Sequence, residues 1–150
     1  MGANGVNSGN TAWMLMSTAL VLFMTPGLAL FYGGMVRSKN VLGMLMQNIV
    51  AMGLLAVVWA VVVFSLAFGK DIGGGLLGGF DFLGMKDLAN TATTLPGYVG
   101  DFDLSVPPLA FAAFQMLFAL IPPALTTGAV ADRMKFSAWA ALAAPLTPFV

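Results

Sequence analysis

Residues 111–130 read FAAFQMLFALIPPALTTGAV, twenty uncharged and mostly apolar positions. That matches the roughly 20 residues a helix needs to cross the hydrocarbon of a bilayer. Phe111, Phe114 and Phe118 fall at i, i+3 and i+7, so they share one face of such a helix. Gln115 and the pair Pro122-Pro123 are the interruptions, and the charged turn ADRMK follows at 131–135. A span with an aromatic stripe and a proline break is either a packed structural helix or the wall of a pathway. The flanking sequence has to decide between the two.

Outward from this stretch, the composition points to a membrane. The 150-residue chain is 59% hydrophobic and 8% charged, with a mean hydropathy of +0.93. A soluble domain carries about 25% charged residues. The few charges also avoid the apolar runs, which predicts several spans rather than one soluble core. There is no Glu, His or Cys, so disulfides, thiol chemistry, cysteine–histidine metal sites and imidazole catalysis are excluded within these residues. The formal net charge is zero, with no basic block for nucleic acid. MGANGVNSGN at the start lacks the basic segment and short apolar core of a cleaved signal peptide.

Four apolar runs are legible. Asn10 and Thr11 are helix-capping types, and the first span is expected over about 11–32, with Pro26-Gly27 as a kink and Gly33-Gly34 as its end. Trp13 and Tyr32 stand near its two ends, where interface aromatics gather. The second runs over about 42–68, long enough to tilt, with Gln47 and Asn48 as polar members. These lie at an interface or bond across helices. The third covers about 106–130. The fourth, 136–150, is about 15 residues with no charged flank, which reads as an incomplete span and the chain as a fragment of a longer protein. Residues 69–105 change character. They are rich in Gly and Asp, with apolar anchors in GGGLLGGFDFLG and TATTLPGYVGDFD, and are expected to form a folded external loop.

Arg37, Lys39, Arg133 and Lys135 occupy the two short turns, so positive-inside logic puts both turns in the cytoplasm. Three completed crossings then leave the N-terminus and the long loop outside. No Asp, Glu, Lys, Arg or His lies within any span, unlike the usual proton-coupled carrier. A pathway wall here is apolar or aromatic with a few hydroxyls and amides. Such a wall suits a small neutral or dehydrating solute, and its rings can hold a cation by roughly 0.5–2 kcal/mol. Ala56 and Ala60, then Ala124 and Gly128, have the spacing for close helix contact. The residues alone stop at part of a polytopic membrane protein of the transporter type.

TAWMLMSTALVLFMTPGLALFYGGMVRSKNVLGM (11–44), WAVVVFSLAFG (59–69) and FQMLFALIPPALTTGAVADRMKFSA (114–138) resemble, in order, the first three helices and intervening turns of the ammonium transporter family. The resemblance covers nearly all the chain outside the Gly-rich loop. It implies an all-α polytopic helix bundle, with these 150 residues forming the N-terminal part of a single domain of an eleven-helix fold. It further implies a multi-pass cell-membrane protein that assembles as a homotrimer and takes up nitrogen, each subunit with its own apolar pore. The substrate is ammonium, recruited at an outer aromatic site and deprotonated, so that ammonia moves along the pore. A PII-type regulatory protein is the cytoplasmic partner implied; no cofactor and no enzymatic reaction is. The F-Q-x-x-F pattern maps onto Phe114 and Phe118, which the resemblance assigns to the outer recruitment site and its gate. Taken alone, an i, i+4 Phe pair is ordinary core packing.

The chain departs from the family pattern at Pro122, where Thr is usual, and at Asp132, where Glu is common. The family's recruitment-site tryptophan, buried aspartate and paired pore histidines lie beyond the matched stretches. Two other readings compete: a sensor with the same fold joined to a signalling domain, and a membrane assembly subunit without cargo. A membrane enzyme fits worst, since no span carries an acid, base and nucleophile set.

Overall fold

The computed structural model describes residues 6–72, 74–75, 77–88, 105–130 and 133–146. Among them the chain is all-helical, with one isolated antiparallel bridge between Asp71 and Gly78. Three helices are long and apolar enough to cross a membrane: α1 (Ser8–Met35), α2 (Ser38–Phe68) and α3 (Pro108–Val130). A shorter helix, α4 (Phe136–Leu146), follows.

α1 starts earlier than Asn10 and Thr11 suggest. Asn7 is the N-cap, and its side chain accepts hydrogen bonds from the backbone N–H of Gly9 (2.8 Å) and Asn10 (3.2 Å). Asn10 is left to donate through Nδ2 to Ser105 Oγ (2.8 Å), and the Asn7 N–H reaches the Ser105 carbonyl at the same distance. These bonds tie the start of α1 to the start of α3. The helix also runs past Gly33-Gly34 to Met35. Gly33 is buried, with Val41 Cγ1 within 3.5 Å of where a Cβ would stand. Here glycine admits a neighbour instead of ending the helix.

α2 is composite. A 3-10 turn (Ser38–Asn40) leads into α-helix (Val41–Val58), then a π-helical turn (Trp59–Val63), then α-helix again (Phe64–Phe68). A π turn takes an extra residue and so rotates whatever follows it. The buried stripe Met44, Asn48, Ala51, Leu55 and Trp59 is thereby carried on through Val63, Phe64 and Phe68. Ala60 lies within this turn, and both it and Ala56 are half-buried.

α1 and α3 run parallel, tied at one end by Ser105 and at the other by Tyr32 against Gly128. α2 runs antiparallel to α3, with Trp59 meeting Ala112 at one end and Asn48 meeting Thr127 at the other. The buried face of α1, Val21, Thr25, Ala29 and Gly33, repeats every fourth residue. The remaining faces of α1 and α2 carry exposed Trp13, Leu20, Phe23, Leu30, Phe31, Leu42 and Val57, the surface expected of a helix set among lipids or further helices.

Of the Gly-rich segment, residues 69–88 fall largely within the described part, whereas TATTLPGYVGDFD lies outside it. The described part folds back on the end of α2. Ser65 is its hub: its hydroxyl donates to the Gly79 carbonyl (2.7 Å) and accepts from the Phe82 N–H (2.9 Å). Gly78 donates to the Leu66 carbonyl at 2.7 Å, so close that a Cβ on Gly78 would sit 2.7 Å from the same oxygen. Phe82 and Leu88 are the buried anchors. Asp81, one of the loop's acidic residues, caps the Lys70 N–H at 2.9 Å.

Candidate functional site: the aromatic half of the third helix

α3 begins with Pro108 in its first turn, where a missing N–H costs nothing. The Pro107 carbonyl receives the N–H groups of Ala110 and Phe111. The three phenylalanines of the stripe then part company. Phe111 packs edge-on to Phe68 with ring centroids 5.2 Å apart. It thereby joins a core of Trp59, Val63, Phe64, Phe68, Phe82 and Leu88 at the loop end of the bundle. Phe114, half-buried, lies against a second core built from Val21, Ala51, Leu55, Leu117, Leu120, Trp139 and Ala143. Phe118 belongs to neither and is 45% exposed. It touches Phe114 edge-on, centroids 4.9 Å apart and planes at 61°.

The loop-end core is held by an aromatic network. Trp59 meets Phe64 and Phe68 edge-on at 5.9 and 6.4 Å, Phe64 meets Phe68 at 5.1 Å, and Phe64 meets Phe82 at 6.0 Å. Each such pair is worth about 0.5–1.5 kcal/mol beyond the area it buries. The Trp59 indole N–H donates to the Ala112 carbonyl at 3.2 Å, a bond between α2 and α3 two residues before Phe114. Neither Trp59 nor Ser65 stood out in the sequence as a site residue. A tryptophan in the middle of an apolar run was the available signal, since its N–H requires a partner once buried.

At the far end α3 changes chemistry. Ala124 and Thr127 are fully buried, and Thr127 Oγ1 donates to the Ala124 carbonyl (2.6 Å) while accepting from Asn48 Nδ2 (3.3 Å). Of the two readings open for Asn48, the structure selects the bond across helices. Gln47 is half-buried instead, lining an open cavity of about 360 Å³ with Val36, Lys39, Asn40, Gly43, Met44 and Met134 between the two short turns. Asn48 Oδ1 and Trp139 Nε1 are buried without a hydrogen-bond partner among the described residues. No group of His, Cys, Asp or Glu among the described residues has the arrangement to hold a metal ion. Asp132 lies outside them.

α3 thus packs Phe111 and Phe114 against separate cores and leaves Phe118, the third ring of the stripe, 45% exposed. The comparisons with known proteins bear on what kind of protein carries it. Residues 12–150 match the model of the Ammonium Transporter Family. The chain is 47% identical over 151 aligned positions to an ammonium transporter of Mycobacterium tuberculosis, covering 96% of this chain and 32% of that protein. It is 39% identical over 131 positions to an ammonium transporter of Bacillus subtilis, covering 87% and 30%. Among solved structures it is similar to Saccharomyces cerevisiae Mep2 (TM-score 0.79, 25% identity, 97% of this chain and 31% of that one). It is also similar to a sensor Amt protein (TM-score 0.77, 29% identity, 93% and 31%). The chain therefore spans about a third of the length of the relatives it matches. A match that runs through all three spans and through the stripe itself leaves one conclusion: this chain belongs to the ammonium transporter family.

Proposed function

We propose that this chain forms the outer entrance and first helices of a pathway that moves ammonium or ammonia across the cell membrane, with Phe118 and Phe114 as the recruitment and gating pair. The observation that carries this reading is the isolation of Phe118: in a family of transporters, it is the ring of the stripe left outside both cores. A half-open ring holds a desolvating cation through its quadrupole by roughly 0.5–2 kcal/mol, and an apolar constriction excludes water and larger ions. The recruited ammonium then gives up a proton, which takes a separate route or is returned to the outside, and ammonia passes an apolar wall. On this reading residues 1–150 are the N-terminal part of a single transporter domain, assembled as a homotrimer whose cytoplasmic face meets a PII-type regulatory protein.

The test is Phe118→Ala in the full-length protein, scored for protein assembled in the membrane and for uptake of methylammonium. Near-normal assembly with altered uptake or ion exclusion is expected; unchanged uptake and selectivity would remove Phe118 from the path. Orientation is tested separately. The cations at 37, 39, 133 and 135 favour cytoplasmic turns and an external N-terminus. Cysteines placed at exposed Ser38 and Lys86 then label from opposite sides, with Lys86 external, and labelling from one side would contradict the topology. The sensor reading rests on the likeness to the sensor Amt protein. It would be favoured by a full-length protein that binds ammonium and moves none.

A further inference from the structure

α3 is continuous helix from Pro108 to Val130, through both Pro122 and Pro123. Neither proline has an N–H. In a helix the N–H of residue i serves the carbonyl of residue i−4, so the carbonyls of Phe118 and Ala119 lose their ordinary donors together. The proline ring also crowds the carbonyl four residues back and tilts it away from the axis. The two carbonyls have different surroundings. Ala119 and Pro123 are buried, on the side of α3 that faces the rest of the bundle. Phe118 and Leu125 are 45% and 46% exposed, with half-buried Ile121 and Pro122 between them. The Phe118 carbonyl, denied a donor at Pro122, therefore belongs to the half-exposed side of the helix, together with the one ring of the stripe that is in neither core.

A ring face and a carbonyl without its i+4 donor make two different demands on a ligand. The ring attracts any monovalent cation. The carbonyl adds a demand for an N–H donor or a small bare cation, and a bond from a charged donor is stronger than one from a neutral donor. We propose that the Phe118 carbonyl, freed by Pro122, is a second binding element of the pathway, accepting an N–H of ammonium or of a small protonated amine as its charge passes the ring. The inference rests on the transport reading above and adds to it a determinant of selectivity: the number of N–H groups on the ion, beyond its charge.

The experiment compares Pro122→Ala with Pro123→Ala in the full-length protein, measuring assembled protein and the concentration dependence of methylammonium uptake. Pro122→Ala returns a donor to the Phe118 carbonyl. It is expected to raise the half-saturating concentration about 10-fold, the size of one charge-assisted hydrogen bond, with maximal uptake per assembled protein within about 2-fold. Pro123→Ala returns a donor only to the buried Ala119 carbonyl and is expected to leave the half-saturating concentration unchanged. An unaltered half-saturating concentration in Pro122→Ala overturns the proposal. So does an equal rise in both variants, which would assign the effect to the bend of the helix. A competition measurement on the unaltered protein does not depend on either variant folding. Trimethylammonium, with one N–H, is expected to inhibit methylammonium uptake about 10-fold more strongly than tetramethylammonium, which has none; equal inhibition, or none by either, counts against the proposal. Absence of saturable methylammonium uptake by the unaltered protein sinks the transport reading itself, a result distinct from all of these.

Discussion

The two halves of α3 are packed by opposite means. From Phe111 to Phe118 the helix meets its neighbours through large rings, and among the described residues the Trp59 indole on the Ala112 carbonyl is the side-chain bond that joins this half to α2. From Ala124 to Gly128 it meets them through small residues and hydroxyls. Ala124 and Thr127 are fully buried, and Gly128 lies so close to Tyr32 that a Cβ would stand 2.7 Å from the tyrosine ring. In lipid there is little hydrophobic gain from pressing apolar helices together, so close backbone approach and interhelical bonds hold the small-residue end. Rings cannot all find partners around one helix, and the aromatic end leaves Phe118 over. The small-residue end also has an exposed side chain, Leu125 at 46%, but it is aliphatic and has no ring to hold a cation. The proposed pathway opening therefore lies at the aromatic end.

The largest effect expected from breaking this arrangement is at Phe64. It is fully buried and contacts Trp59, Phe68 and Phe82. Phe64→Ala is expected to cost about 3–5 kcal/mol on the soluble-protein scale, read as a loss of assembled protein and a lower unfolding temperature in detergent. A normal melting curve would show that the ring network is not what holds that end.

At the other end, Gly128→Ala overpacks against Tyr32. Overpacking costs about 1–3 kcal/mol, and the double change with Tyr32→Ala is expected to recover part of it, since the three atoms nearest the added Cβ all belong to that ring. No recovery would mean that Gly128 is needed for some other reason. The smallest effect is at Asn48. Interhelical side-chain bonds in membranes average about 0.6 kcal/mol and reach about 1.7. Asn48→Val, which also removes the unpartnered Oδ1, is expected to shift the melting temperature only slightly. A loss as large as that for Phe64→Ala would put the polar link, not the rings, at the centre of the fold.

Much of this was legible in the sequence because hydropathy and charge placement are properties of whole segments. The three spans, the short basic turns and the family likeness follow from runs of 20 or more residues, which no single contact can override. Local starts and stops were less legible. Asn10 and Thr11 have capping chemistry, but Asn7 does too, and only the partnership with Ser105, 95 positions away, decides which residue caps. Gly33-Gly34 looked like a terminator because glycine is flexible; buried under Val41, it is a contact. The π turn at Trp59–Val63 leaves no mark in composition, yet it determines which residues of α2 face the core. At the candidate site, periodicity put Phe111, Phe114 and Phe118 on one face. It was silent on their division between two cores and an open position, since the partners that divide them, Phe68 and the second core's Val21, Leu55 and Trp139, come from elsewhere in the chain.

That division is the centre of the account, and one paired measurement bears on it directly. Phe111→Ala and Phe118→Ala remove the same ring from the same helix face, two turns apart. Each is made in the full-length protein, and each is scored for unfolding temperature and for methylammonium uptake per assembled molecule. Phe111, locked against Phe68, is expected to lower the unfolding temperature markedly while leaving uptake per assembled molecule near normal. Phe118 is expected to do the reverse, with a small change in stability and a clear change in uptake or ion exclusion. If both variants lose stability alike and the surviving Phe118→Ala protein transports as the unaltered one does, the stripe is packing throughout and the pathway lies elsewhere.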